Sequence, residues 1–223
     1  MLLVTLKRLL TNSLKRIKSL LNPKLNDYVE QFLWKYKHII IPKRMKDFGE
    51  HRGIRREQLV NLIKSKKEFK NLLELGCGNG INIEILSKEI KNSQFHGIDI
   101  NKKVIIENQK RAIRNNNCKF YFMNINNMNL FKTNSFDYVL TDSVLIYHSP
   151  EKVLKILNEL KRIASKGIIL REQCSEKTKY LDHWIHNYRK LIKEIGIQNY
   201  KFLKTYGQEG LWNQYGYIID IEL

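Results

Sequence analysis

The stretch NLLELGCGNG, residues Asn71 to Gly80, decides how the rest of the chain is read. Leu72, Leu73 and Leu75 form a short apolar run that ends in glycines at alternate positions, Gly76, Gly78 and Gly80. That pattern predicts a buried strand breaking into a tight turn before a helix over Ile81 to Ile90. Glycine has no Cβ, so it can take positive φ and let a ligand lie against bare backbone amides. The following helix would aim its unpaired amides and positive dipole end at the same place. The loop is therefore expected to hold a nucleotide-like, partly anionic ligand, with Cys77 as a small residue that fits inside it.

A dinucleotide-binding loop needs a third glycine three residues after the second, and that position here is Ile81. The spacing is instead G-x-G-x-G, with Glu74 two residues before the first glycine. Farther on, Gln94 to Ile100 reads QFHGIDI, a second short strand ending in Asp99. Asp99 lies about 20 residues beyond the loop, where an acidic side chain is expected to accept the two ribose hydroxyls. Lys102 to Asn115 reads as a helix and Lys119 to Met123 as a third strand. Phe136 to Thr141 makes a fourth, opening into Asp142-Ser143-Val144-Leu145. Glu151 to Ala164 supplies a helix, Ser165 to Gly167 a turn, and Ile168 to Leu170 the start of a fifth strand.

Taken in this order, residues 71–172 resemble the class I S-adenosylmethionine (SAM) dependent methyltransferases, in their small-molecule branch. The resemblance implies an α/β fold, a Rossmann-like doubly wound sheet of mostly parallel strands with an antiparallel C-terminal hairpin strand, plus an N-terminal helical cap. It divides the chain into a basic amphipathic helix and cap over residues 1–66 and a SAM-binding methyltransferase domain over residues 67–223. SAM is the implied cofactor. Glu74, Gly76, Cys77, Gly78 and Gly80 would hold it, with Asp99 and Ile100 at the ribose and adenine. Asn124 and Ile125 stand where the family often carries an acidic contact to the adenine amine, and an asparagine oxygen can accept the same bond. Asp142 would close the crevice. His148 and Asp142 are the candidate catalytic bases, although His148 could equally cap the following helix.

Composition narrows the partners. The 223 residues suffice for one domain with additions. Three scattered cysteines show no metal-ligand spacing and suit a reducing compartment, so a cytoplasmic location is expected. No apolar run approaches the length of a membrane span. The net charge of +18 is concentrated early, with 18 Lys and Arg against 6 Asp and Glu in residues 1–70. Residues 2–21 carry Leu3, Leu6, Leu10, Leu14, Ile17 and Leu21 on one helical arc, and Lys7, Arg8, Lys15, Arg16 and Lys18 opposite. This basic amphipathic pattern fits packing on the domain, peripheral contact with an anionic membrane, or a transit peptide.

The aromatic segment Asn26 to Tyr36 and residues Arg52 to Lys64 are expected to be cap helices, with His51, Arg52 and Arg55 near the ligand. Tyr180 to Ile195 reads as one helix that would place His183 and His186 on a shared face. Tyr200 to Thr205 and Tyr217 to Ile221 read as paired antiparallel strands. Base-amine methylases carry prolines and an aromatic after the fourth strand, which Asp142 to Leu145 lacks. The expected acceptor is thus an oxygen of a small molecule, glycan or lipid-linked compound. RNA, protein and a SAM-binding role without turnover are the alternatives, nucleic acid being less favoured. The sequence leaves the oligomeric state open.

Overall fold

The computed structural model describes residues 23–40, 54–113, 116–181 and 183–223. The pattern over residues 2–21, His51, Arg52 and the turn before Gly53 lie outside them, as does the Arg55 side chain.

Five strands run parallel: β1 (Asn71–Leu75), β2 (Gln94–Asp99), β3 (Cys118–Phe122), β4 (Phe136–Asp142) and β5 (Ala164–Gln173). After a small hairpin of β6 (Lys179–Leu181) and β7 (His183–Ile185) come β8 (Tyr200–Lys204) and β9 (Gly216–Glu222). The seven-stranded sheet has the order β3-β2-β1-β4-β5-β9-β8. β9 pairs antiparallel with both β5 and β8, so it is the one strand of this sheet that runs against the others. The expected hairpin is present, but its antiparallel member lies inside the sheet and β8 forms the edge.

Among the described residues nine further segments connect and cover the sheet. They are α1 (Pro23–Ile40), α2 (Ile54–Lys64), α3 (Ile81–Glu89), α4 (Lys102–Ala112), α5 (Pro150–Ile163), α6 (Tyr188–Glu194), α7 (Gly210–Tyr215) and 3₁₀ turns over Ile125–Leu130 and Leu145–Tyr147. Alternation along the strands explains the layering, because successive side chains leave a strand on opposite faces. Leu72, Leu140, Ile169 and Ile218 face one apolar cluster with Leu59 and Ile63 of α2, Ile83 and Leu86 of α3 and Ile105 of α4. Leu73, Leu75, Val139, Ile168 and Leu170 face the other, with α5 and α6. Helix α5 shows why it packs there: Val153, Ile156, Leu157, Leu160 and Ile163 recur at helical spacing and are all buried.

Two expectations are corrected. The turn at Ser165 to Gly167 is strand, since β5 begins at Ala164 directly after α5. A Cβ at Gly167 would meet the Ile221 carbonyl oxygen at 2.5 Å, so glycine there permits the close β5–β9 pairing. The helix expected over Tyr180 to Ile195 is the β6–β7 hairpin followed by the short α6. Tyr180, Trp184 and Tyr188 are spaced by four and mimic a helical stripe. In the fold Tyr180 instead pairs across the hairpin with Trp184, their ring centroids 5.1 Å apart. The helix starts only where the Asn187 side chain accepts from the Lys190 amide.

Candidate functional site

Parallel strands bring the ends of β1, β2, β3 and β4 to one edge of the sheet, where a doubly wound fold forms its crevice. Gly76, Gly78 and Gly80 all have positive φ, at 63°, 49° and 70°. Gly76 also lies under the Val144 side chain, which an added Cβ would meet at 2.5 Å. At Gly78 a Cβ would meet nothing within 4 Å, so the loop faces open space there. The loop closes on itself through the Gly80 amide, which donates to the Cys77 carbonyl over 2.8 Å. Cys77 is buried, and burial, with the Asp99 and Glu74 charges, holds its thiol protonated.

Asp99 anchors the lip of this loop. One of its carboxylate oxygens accepts from the Gly78 amide at 2.9 Å and the other from the Asn101 amide at 2.7 Å. Each oxygen keeps further lone-pair capacity for a hydroxyl donor. Ile100 follows at the bend, partly buried.

Glu74 is 2% exposed at the end of β1. Its Oε1 accepts from Asn82 Nδ2 at 2.7 Å, while its Oε2 is buried without a hydrogen-bond partner. Burial pushes its carboxyl up to about 8, against the Asn82 hydrogen bond and with the help of the Asp142 charge. A buried, half-satisfied carboxyl beside a glycine loop is a place for a cationic donor.

Asn82 links several of these groups. It also donates to Asp142 Oδ2 at 3.0 Å and accepts from Arg56 Nε at 3.0 Å. Arg56, on α2, is the basic cap residue described at the site; sequence reading had pointed to its neighbour Arg55. Asp142 Oδ1 in turn accepts from Ser143 Oγ at 2.9 Å and pairs with Arg171. Burial would raise the Asp142 carboxyl, yet Arg171 and the hydrogen bonds from Asn82 and Ser143 hold it below its ordinary value. Arg171 stacks on Trp212 of α7 at 4.6 Å, and its Nε is buried without a partner.

Ser143 takes a positive φ of 61°, a costly conformation for a non-glycine residue. This turns the chain so that Val144 covers Gly76. Glu172 holds the turn, its Oε1 accepting from the Val144 and Leu145 amides and from Thr141 Oγ1, each at 3.0 Å. Burial pushes this carboxyl up to about 7. Replacing Glu172 with Ala is expected to cost about 3 kcal/mol, at roughly 1 kcal/mol per lost hydrogen bond. Urea unfolding followed by circular dichroism measures it, with Glu172→Gln retaining most of the stability.

His148 is 7% exposed and its Nδ1 lacks a partner. Burial, with Lys152 and His186 nearby, depresses its pKa to about 3, so it is uncharged at neutral pH. His183 and His186 do not share a helix: His183 Nε2 meets Gln173 Oε1 at 2.9 Å and His186 Nε2 meets the Leu145 carbonyl at 3.1 Å. Among the described residues no cluster of three His, Cys, Asp or Glu is placed to hold a metal.

Helix α1 lies across these strand ends. Asp27 accepts from the Ser149 amide at 2.7 Å and from Ser149 Oγ at 2.6 Å, next to the positive end of α5. Trp34 packs edge-on against Tyr147, with centroids 4.8 Å apart, and its carbonyl accepts from Asn101 Nδ2 at 3.4 Å. Gln31 Oε1 accepts from Asn124 Nδ2 at 3.2 Å. Asn124 Oδ1 caps the 3₁₀ turn by accepting from the Asn126 amide, and Ile125 begins that turn and packs on the core.

A family model described as a methyltransferase domain matches residues 66–220. The chain belongs to that methyltransferase family. A SAM-dependent methyltransferase from Aquifex aeolicus superposes with a TM-score of 0.62 at 16% identity, covering 81% of this chain and 97% of its own. Magnesium protoporphyrin IX methyltransferase from Synechocystis, solved with bound S-adenosylhomocysteine (SAH), gives a TM-score of 0.64 at 17% identity over 88% and 99%. A SAM-dependent methyltransferase of Leishmania major gives 0.67 at 15% identity over 89% and 83%. A search of curated protein sequences finds no match. The methyltransferase fold is therefore the class I, Rossmann-like one.

Asn82, Arg56, Arg171, Glu172 and Asp27 escaped the sequence reading. A signal existed for Asn82, a polar residue on the inward face of the apolar helix start INIEIL, and for Arg171 and Glu172, charges directly after an apolar strand run.

Proposed function

We propose that this SAM-dependent methyltransferase acts on an oxygen of a small-molecule, glycan or lipid-linked acceptor that enters the crevice already ionised. The observation that carries the cofactor reading is the convergence of Glu74, the open glycine loop and Asp99 on one lip. Bound SAM supplies a methyl group on a sulfonium, open to in-line displacement.

The chain's own part is placement. Gly76 to Gly80 would lay bare backbone along the cofactor, Asp99 would take the ribose hydroxyls, and Glu74 Oε2 would receive the ammonium. Asn124 and Ile125 would border the adenine. Helix α1 would keep water from the reacting atoms. Asp142 and His148 favour an ionised acceptor, because neither is set up to take a proton. Asp142 is held anionic with both oxygens occupied, and His148 is a weak, buried base. Arg171 Nε adds a donor for an anionic acceptor.

Isothermal titration with SAH tests the cofactor. Micromolar binding, about −8 kcal/mol, is expected, and no heat from the folded protein would remove the reading. Labelled SAM offered with carboxylic acids or phenols and their neutral esters then tests the acceptor. Label entering RNA or protein, or no turnover despite tight SAH binding, would overturn it.

A further inference from the structure

We propose that the outward face of α1 docks this protein on an anionic lipid surface, so that the helix capping the crevice lies at the membrane interface. The docking stands on the surface of α1 itself. Only its consequence, that the acceptor is amphipathic and drawn from the lipid surface, rests on reading the crevice as the methyl-transfer site.

Helix α1 has two unlike faces. Asp27 and Glu30, the acidic residues of the first 40, are 7% and 5% exposed, and Asp27 is held against Ser149. On the other side Leu25, Tyr28 and Phe32, at i, i+3 and i+7, are 46%, 72% and 61% exposed. Phe32 continues the stripe to Tyr36, with ring centroids 4.9 Å apart. Large apolar side chains contiguous on one helix face mark an interaction surface rather than scattered exposure.

The sequence supplies the second observation. From Leu3 the apolar residues step by three, four and four positions, through Leu21 and on to Leu25, Tyr28 and Phe32 without losing phase. A spacing of three apolar positions in every eleven, about 3.67 residues per turn, lies close to the 3.6 of an α-helix, so the sequence pattern is amphipathic on both sides of Pro23. Residues 1–40 carry eight Lys and Arg beside this stripe, against the two acids that α1 turns inward. An apolar stripe with an aromatic edge and basic flanks is complementary to the headgroup region of an anionic bilayer. A second copy of the chain would bring the same positive charge against itself, which argues for lipid over self-association.

The test is co-sedimentation of the full chain with vesicles of phosphatidylcholine alone and of phosphatidylcholine mixed with phosphatidylglycerol. Light scattering of the free protein and titration with polyuridylate accompany it. Wild type is expected to partition at least about tenfold more strongly onto the anionic vesicles, with the preference falling as salt rises. The triple variant Leu25→Glu, Tyr28→Glu, Phe32→Glu is expected to lose this binding while keeping its circular dichroism and SAH affinity. A second variant, with Lys7, Arg8, Lys15, Arg16 and Lys18 each changed to Gln, is expected to lose the anionic preference. Vesicle binding by the triple variant equal to wild type would overturn the proposal. So would a dimer that the triple variant dissolves, or binding to polyuridylate but to neither vesicle. Vesicle binding without SAH binding would leave docking standing and remove the cofactor reading, so the two failures are separable.

Discussion

Replacing Asp99 with Ala is expected to weaken SAH binding about 100-fold and to cost about 2 kcal/mol of stability, at roughly 1 kcal/mol for each of the two amide hydrogen bonds it accepts. In the free protein its two oxygens accept from the Gly78 and Asn101 amides, and both would also accept ribose hydroxyl protons in the complex. Hydrogen bonds to a charged acceptor contribute about 1.5–3 kcal/mol each. Two of them at the lower end make about 3 kcal/mol, or roughly two factors of ten in affinity. Asp99→Asn keeps one acceptor oxygen and loses the charge, so it should fall between Ala and wild type. Titration calorimetry of the three proteins measures the series. Equal affinity for Asp99→Ala and wild type would remove Asp99 from the ribose and with it the orientation proposed for the cofactor.

The position of Asp99 beside the glycine loop was legible because it is set locally: a carboxylate at a strand end, at a set distance after that loop, has few other places to occupy. The same holds for the succession of the parallel strands along the chain, since helices separate most of them and α5 has a clear apolar period. The polar scaffold behind the crevice was not legible. Asn82 meets Glu74 and Asp142, which are 8 and 60 residues away in sequence, and Asp27 meets Ser149 across 122. No short-range pattern encodes such pairs. The β6–β7 hairpin failed for another reason. Its aromatics carry a helical spacing, and pairing of Tyr180 with Trp184 overrode the local period. At the far edge both strands of the C-terminal pair were visible, but which of them entered the sheet depends on β9 finding β5 across more than 40 residues.

The affinity for SAH is expected to rise with pH, by about tenfold per unit between roughly pH 6 and 8, and then to level off. The argument starts from Glu74, whose carboxyl is pushed up to about 8 by burial. At pH 6 to 7 it is therefore mostly protonated in the free protein. The ammonium of the ligand would be received by the ionised form at Oε2, which has no other partner. Binding must then release a proton, and below pH 8 each unit of pH makes that release about tenfold easier. The free protein should respond with the opposite sign. A carboxyl raised above its ordinary value of 4.5 holds its proton more tightly folded than unfolded. Stability linked to Glu74 is thus fully present below about pH 4.5 and is lost as pH rises through about 8. Glu74→Gln should flatten both slopes, leaving a protein more stable than wild type at alkaline pH but binding SAH weakly throughout. Calorimetry in two buffers of different ionisation enthalpy counts the released proton directly. A wild-type affinity that does not change from pH 6 to 8, with no buffer dependence, would place the ammonium away from Glu74 and leave this carboxyl as a strut between β1 and α3.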